Sequence, residues 1–199
     1  MNWCARLLQE LGLDQEDIKM VSISEIRIGQ VIRNEFDQIT RELLKRYAKA
    51  SGDTNPIHTN DVIAEKAGLK GVIAHGLFSF GFITKLFEDF LNQEREGKLI
   101  KIDIEMVGMV RCGDQLVTEA TISKIENKKI FFNITQTSFT KVEIKQGNKI
   151  IRRFEAGERG YITEKDKNRG FLKTKQVDEG ILTYRERISM KGTAIVELF

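Results

Sequence analysis

The sequence predicts an α+β fold in which an antiparallel β-sheet wraps around one apolar helix. Between residues 76 and 92 the apolar side chains surround most of the helical circumference, so this helix must be enclosed by other elements. From residue 100 to residue 106 the hydrophobic period changes to two, which is typical of a half-buried strand. Strand-like runs at residues 115–125, 130–142 and 149–162, separated by turn sequences, complete the predicted antiparallel sheet.

Two shorter helices are predicted before the apolar helix. Thr40 begins the first of them, which turns Leu43, Leu44 and Tyr47 to its buried side and ends at residues 51–52. An N-cap at residue 60 or 61 begins the second, which covers residues 62–67 and ends at Gly68. An extended segment at residues 21–36, broken at Gly29, comes before both of them.

The two ends of the chain are predicted to be additions to one central domain. Residues 1–25 are an N-terminal extension, residues 26–162 the domain and residues 163–199 a C-terminal extension. The first extension is expected to form a short helix that ends at Gly12, with its apolar face made by Trp3, Leu7, Leu8 and Leu11. The second combines a charged stretch at 164–170, interpreted as a solvated linker, with strand-like runs at 181–188 and 193–199. The apolar end can add to the sheet, to a partner protomer or to another protein, or it can cover a pocket.

Composition excludes several functional classes. The formal net charge of +3 comes from 32 basic and 29 acidic residues that alternate along the chain, so charge does not indicate a nucleic-acid partner. Cys4 and Cys112 lack metal-ligand spacing, and no metal site is predicted from them. No segment approaches membrane-spanning length and the first ten residues lack the apolar run of a signal peptide, so we expect a cytoplasmic protein without membrane contact.

The chemistry is predicted to lie in one short stretch, because both histidines and the only proline of the chain occur there. A carboxylate, Asp53, and an imidazole, His58, are five residues apart across an Asn-Pro turn. Pro56 fixes its own φ angle and biases the residue before it away from the helical region. The two side chains can therefore converge on one small group as an acid/base pair.

This stretch resembles the hydratase motif of the MaoC-like family, which includes (R)-specific enoyl-CoA hydratases and related acyl dehydratases. The family pattern is Ser-Gly-Asp, any residue, Asn-Pro, an aliphatic residue and His, followed some seventeen residues later by Ala-His-Gly. The chain has Ser-Gly-Asp-Thr-Asn-Pro-Ile-His at residues 51–58 and Ala-His-Gly at residues 74–76. A weaker resemblance extends from about residue 26 to about residue 162. It implies a hot-dog fold, in which the sheet wraps the central helix.

The resemblance also implies a reaction and roles for individual residues. The reaction is the reversible hydration of trans-2-enoyl thioesters of coenzyme A or acyl carrier protein to (R)-3-hydroxyacyl thioesters, without a metal or redox cofactor. Asp53 and His58 would handle the water and its proton, and the backbone N–H of Gly76 would face the thioester oxygen. Substrate-binding or positioning roles are expected for Asn55, His75, Phe80, Thr84 and Phe87, although helical spacing favours a core role for most of the last three.

Two alternative functions have the same fold. A thioesterase would direct water at the carbonyl carbon, and a non-catalytic regulator would bind acyl thioesters without turnover. The spacing from Asp53 to His58 matches the hydratase pattern and therefore favours the hydro-lyase. The resemblance further implies a homodimer as the minimal assembly, with the acyl thioester along the subunit interface.

Overall fold

The structure is a computed structural model that describes residues 26–92 and 97–199. Within these ranges the chain forms seven strands and five helices. The strands are β1 (Val31–Phe36), β2 (Gly97–Met106), β3 (Asp114–Glu126), β4 (Lys129–Gln146), β5 (Lys149–Arg153), β6 (Leu172–Val177) and β7 (Gly180–Leu198). The helices are α1 (Arg41–Ser51), α2 (Asp61–Lys66), α3 (Gly76–Asn92), α4 (Glu155–Glu158) and α5 (Glu164–Asn168). The predicted helix formed by Trp3, Leu7, Leu8 and Leu11 lies outside the described residues.

The predicted antiparallel sheet is confirmed, and all seven strands belong to it, including β6 and β7, whose place the sequence left open. The main path runs β1-β3-β4-β7-β2, while β5 pairs with the far end of β4 and β6 with the first half of β7. The body of the sheet is therefore five strands wide. Beyond it, β4 and β7 continue as a narrower arm flanked by β5 and β6.

The sheet encloses α3, which confirms the predicted arrangement. Ile83, Leu86, Phe87 and Phe90 of this helix are completely buried. They belong to one core cluster with residues of β1, β3, β4 and β7, in which the ring of Phe132 packs edge-on against Phe87 and Phe90. Burying each of these side chains contributes about 1.5–3 kcal/mol to the stability of the fold.

Two buried amide side chains fix α3 against the sheet. Gln136 of β4 donates from Nε2 to the carbonyl of Ser79 at 2.9 Å, and Asn34 of β1 donates from Nδ2 to the carbonyl of Phe82 at 2.9 Å. Sliding or rotation of α3 would break these bonds and leave a buried amide unpaired, which would lower the stability of the fold. The two bonds therefore hold α3 in one position. They thereby hold the N-terminus of α3, where the candidate site lies.

The helices before α3 begin as the sequence predicts. The Thr40 side chain accepts a hydrogen bond from the N–H of Leu43 at the start of α1. The Asn60 side chain accepts from Val62 and Ile63 at the start of α2. A left-handed Gly52, with a φ angle of 77°, ends α1 and turns the chain into the motif.

The C-terminal segment is part of the sheet from Gly180 onward. β7 is a single strand of 19 residues that lies between β4 and β2, and its apolar residues Ala194 and Val196 are buried in the core, while Phe199 at the end of the chain is exposed. Local patterning marks this segment as a strand, but its position follows from pairing between residues distant in sequence. The sequence therefore could not show that part of the predicted C-terminal extension, residues 163–199, forms a strand within the sheet.

Two predictions for the segment between β4 and β6 are wrong. The strand predicted at 149–162 ends at Arg153, because the chain turns into α4 and Glu155 forms an ion pair with Arg41 of α1. The charged stretch at 164–170 is not a solvated linker: Thr163 and Asp166 form a capping box at the start of α5, and Asp166 is buried. The turn into α4 depends on a contact with distant Arg41, which local sequence does not reveal, whereas the capping box of α5 is a local signal that the interpretation as a linker missed.

Candidate functional site

The loop between α1 and α2 is folded by its own side chains. Asp53 accepts a hydrogen bond from the N–H of Asn55 at 3.3 Å, and Asn55 accepts one from the N–H of Ile57 at 3.2 Å. Pro56 then begins a single 3-10 turn that ends at His58. The Asn-Pro sequence favours this geometry because Asn bonds readily to nearby backbone and Pro starts a turn. Asn55 therefore orders the loop between the two predicted catalytic residues.

The position of His58 defines which of its nitrogens can act as a base. Its Nδ1 is 2.8 Å from the carbonyl oxygen of Ile73. A carbonyl only accepts hydrogen bonds, so Nδ1 carries the proton in this contact, and Nε2 of the neutral ring has a free lone pair. His58 as a whole is half-buried, so part of its side chain is open to solvent. The arrangement suits a general base.

His75 supports both members of the pair. The ring is 1% exposed and stacks on His58 with a centroid distance of 3.9 Å, and its Nε2 donates to the backbone carbonyl of Asp53 at 3.1 Å. On its other side lies the ring of Tyr47, at 4.8 Å. Burial lowers the pKa of His75, so the ring is neutral near pH 7. The contacts favour a positioning role over direct proton transfer.

The structure brings Asp53, His58 and His75 together in one small volume. Their carboxylate oxygen and ring nitrogen atoms lie within 4.8 Å of one another. Asp53 is exposed, whereas His75 is enclosed, so the cluster has one open side and one closed side. A water molecule on the open side could contact a carboxylate oxygen and the Nε2 of His58 together.

The same three side chains are close enough to hold a metal ion, but their orientation is unfavourable for one. A metal ion binds histidine along the ring plane, at about 2.0–2.1 Å from the nitrogen for zinc. The rings of His58 and His75 stack at 3.9 Å between centroids with an interplanar angle of only 26°, so a cation in the plane of one ring lies out of the plane of the other. The geometry therefore suits acid/base chemistry better than metal binding.

Gly76 is the first residue of α3 and follows His75 directly. The N–H groups of the first helical turn have no partner within the helix, and they stabilise a negative charge near the helix start. A Cβ atom on Gly76 would lie 2.6 Å from Sδ of Met106, so the flexible end of this exposed side chain would have to shift to admit one. The helix start can therefore face a developing oxyanion.

The three other predicted positions lie farther along α3. Phe87 is completely buried in the core, and Phe80 is half-buried against the same cluster. Thr84 is half-buried and donates from its hydroxyl to the carbonyl of Gly81 at 3.0 Å. The surroundings of Phe87 suit the core role, and an acyl-binding role for these residues stays a prediction.

Three contacts of the site do not follow from the sequence. Helical spacing predicts that Tyr47 points inward, but not that it meets His75. The carbonyl of Ile73 carries no sequence signal, since any residue supplies one. Met106 covers Gly76 from β2, and strand alternation alone could not identify its partner.

Comparison with known proteins identifies the family. Residues 24–146, more than half of the chain, match the family model described as MaoC like domain. The chain belongs to the MaoC-like family. Over 94 residues, 47% of this chain, it is 38% identical to the peroxisomal hydratase-dehydrogenase-epimerase of Neurospora crassa. Over 42 residues, 21% of this chain, it is 50% identical to 3-hydroxyacyl-thioester dehydratase X of Mycobacterium tuberculosis. These matches cover only 10% and 15% of the two relatives, so most of each relative has no counterpart here.

Solved structures confirm the hot-dog fold of this MaoC-like chain. The unliganded R-hydratase PhaJ1 of Pseudomonas aeruginosa superposes with a TM-score of 0.55 at 17% identity, over 88% of this chain and 83% of that one. At this identity the likeness concerns the fold.

Among the described residues, no helix has both the length and the apolar character needed to cross a membrane.

Proposed function

We propose that this MaoC-like protein is an (R)-specific hydro-lyase that reversibly hydrates trans-2-enoyl thioesters to (R)-3-hydroxyacyl thioesters. The observation that carries the proposal is the convergence of Asp53, His58 and His75 beside the start of α3. The names of the relatives, a hydratase-dehydrogenase-epimerase and a 3-hydroxyacyl-thioester dehydratase, support the same reaction class.

Each chemical requirement of the reaction has a candidate group. Water bound between Asp53 and His58 attacks C3 of the enoyl group, and the free Nε2 of His58 accepts a proton from it. The pair then delivers a proton to C2, so that one water is added in total and the pair returns to its starting protonation state. Negative charge that develops on the thioester oxygen faces the N–H groups at Gly76. His75, neutral and buried, holds His58 and the Asp53 backbone in place.

The carrier of the acyl group is proposed to be coenzyme A or acyl carrier protein, and no metal or redox cofactor takes part. The stacked orientation of the two histidine rings supports the metal-free mechanism. A homodimer is proposed as the minimal assembly, because β1 and β2 end the five-strand path and an open sheet edge favours a partner strand.

The test is to mix purified protein with crotonyl-CoA and follow the conjugated enoyl-thioester absorbance together with free thiol. The proposal expects absorbance loss without thiol release, and no absorbance loss with Asp53→Asn. Thiol release would instead indicate a thioesterase. If crotonyl-CoA and crotonyl carrier protein both remain unchanged, the hydro-lyase proposal is wrong and a non-catalytic acyl-thioester binder is favoured.

A further inference from the structure

A cavity of about 210 Å³ lies beside the loop that joins α2 to α3. Six cationic side chains line it, and Asp166 is the only carboxylate residue among the described lining residues. The cations are Lys70, Arg111, Lys165, Arg169, Arg185 and Arg187. The whole chain has 32 basic and 29 acidic residues, so this local excess of positive charge is not a reflection of composition.

Arg185 of β7 is buried in the wall of this cavity without complete pairing. It is 3% exposed, its Nη2 donates to Oγ1 of Thr140 at 3.0 Å, and its Nη1 is 3.9 Å from Oδ2 of Asp166. That carboxylate oxygen already accepts shorter bonds from the backbone N–H and hydroxyl of Thr163. The Nε of Arg185 is buried and has no hydrogen-bond partner. A buried guanidinium with a free donor favours an anionic ligand.

Arg111 adds a second buried guanidinium. It is 6% exposed, and its Nη1 donates to the carbonyl of Leu69 at 2.7 Å. Its plane lies over the ring of Tyr161, with Cζ 4.4 Å from the ring centroid. Burial lowers the pKa of Arg111, and the positive charges of Arg185 and Arg187 lower it further. Nearby Asp114 offsets part of this charge, although burial raises the pKa of its carboxyl to about 6.

The cavity and the acid/base pair share one loop. Residues 68–70 line the cavity, and Ile73 of the same loop accepts the hydrogen bond from His58. Ile73 also forms a β-bridge with Arg111. Four of the six cations, Lys165, Arg169, Arg185 and Arg187, come after residue 146, where the match to the family model ends. The site is therefore largely built by sequence that the family model does not cover.

We infer that this cavity binds a phosphate ester of the group that carries the acyl thioester, and that it does so through Arg111, Arg185 and the cations of α5 and β7. Planar guanidinium groups match the oxygen geometry of phosphate, and the negative charge of a phosphate group offsets part of the positive charge of the cavity. Two phosphates share this chemistry: the 4′-phosphate of phosphopantetheine, present in coenzyme A and acyl carrier protein, and the nucleotide phosphates of coenzyme A. The inference rests on the proposed function for the identity of the ligand.

The test variant is Lys165→Gln/Arg169→Gln, which removes two exposed cations at α5 without disturbing a buried residue. The control is Lys128→Gln/Lys129→Gln, which removes the same charge at the exposed β3–β4 turn, at the other end of β4 from Thr140. Both variants should retain the wild-type Tm.

Calorimetric titration with 4′-phosphopantetheine and with 3′,5′-ADP measures phosphate binding without turnover. We expect at least one of them to bind the wild type and the control, with a Kd about tenfold higher in the test variant. The ligand that binds identifies the phosphate. If neither binds, or if the test variant and the control bind equally, the inference is overturned.

Kinetics separate this inference from the proposed reaction. The test variant should have a KM for crotonyl-CoA about tenfold higher than wild type and an unchanged kcat. With crotonyl-pantetheine, which has no phosphate, both KM and kcat should stay unchanged. Equal losses with both thioesters would contradict a phosphate site. If the wild type turns over neither thioester, the proposed reaction fails and the titrations alone decide the inference.

Discussion

Replacing His58 by alanine should separate catalysis from folding. The substitution removes the free Nε2, which is the candidate base, while the Asp53 carboxylate and the Gly76 N–H remain. Loss of a general acid or base typically costs about 10²–10⁴ in rate, or roughly 3–5 kcal/mol of transition-state stabilisation. We therefore expect kcat with crotonyl-CoA to fall by at least about a hundredfold.

The expected stability loss is much smaller and follows from two contacts. His58 loses the hydrogen bond to the Ile73 carbonyl, worth about 1 kcal/mol net, and the stack on His75, worth about 0.5–1.5 kcal/mol. For a chain of this size, about 2 kcal/mol lowers Tm by roughly 4–8 °C. The variant should therefore be folded at 25 °C, where activity is measured.

Asn60→Ala is the matched control for His58→Ala. It removes the N-cap of α2, two residues away, and should cost about 0.5–2 kcal/mol without removing an acid or base. Activity is read from the loss of enoyl-thioester absorbance, and Tm from thermal unfolding followed by circular dichroism. The reasoning is refuted if His58→Ala keeps more than about a tenth of wild-type kcat, or if Asn60→Ala loses as much activity.

Three further predictions concern the surroundings of the pair. Gly76→Ala should lower kcat by less than about tenfold, because its Cβ would meet only Sδ of Met106, the flexible end of an exposed side chain that can move aside, and the backbone N–H remains. Gly76→Ala/Met106→Ala should recover any loss, whereas a loss as large as that of His58→Ala would argue against this explanation. The pKa of His75 is lower in the folded than in the unfolded chain, so its contribution to stability is complete above about pH 6.5 and is lost as pH falls. His75→Phe should therefore show a smaller drop in Tm between pH 7.5 and 5.5 than wild type. The groups that face His75, which are His58, Asp53 and Tyr47, are the same in both proteins. An equal drop in Tm would count against a buried neutral His75. Dialysis against EDTA should leave kcat unchanged because the stacked rings do not converge on one cation; activity lost and then restored by Zn²⁺ would contradict the metal-free mechanism.

The elements with local signals could be predicted from sequence alone. Thr40 and Asn60 are N-caps, the apolar helix covers residues 76–92, and the strands after it follow the period of two. Each of these depends on backbone preferences and side-chain periodicity within a few turns of chain. The helices α4 and α5 were not predicted because each is only four or five residues long, and α4 also depends on the ion pair of Glu155 with distant Arg41, although the Thr163 cap of α5 is a local signal.

The candidate site divides in the same way. The motif identified Asp53, His58 and Gly76 because one loop and one helix start carry them, and Asn55 and Pro56 impose the local geometry. The protonated nitrogen of His58 could not be predicted, since it follows from a backbone carbonyl fifteen residues away.

The sequence by itself determined the antiparallel α+β architecture, the central helix and the position of the Asp53–His58 motif, because short-range periodicity, caps and turns encode them. The tertiary structure decided that the C-terminal segment lies in the middle of the sheet, because pairing with β4 and β2 joins residues distant in sequence. It also decided where charge accumulates. Along the chain the basic residues alternate with acidic ones, but folding brings Lys70 and Arg111 together with cations of α5 and β7 around one cavity. Electrostatic interaction depends on distance in space, and only the folded chain sets that distance.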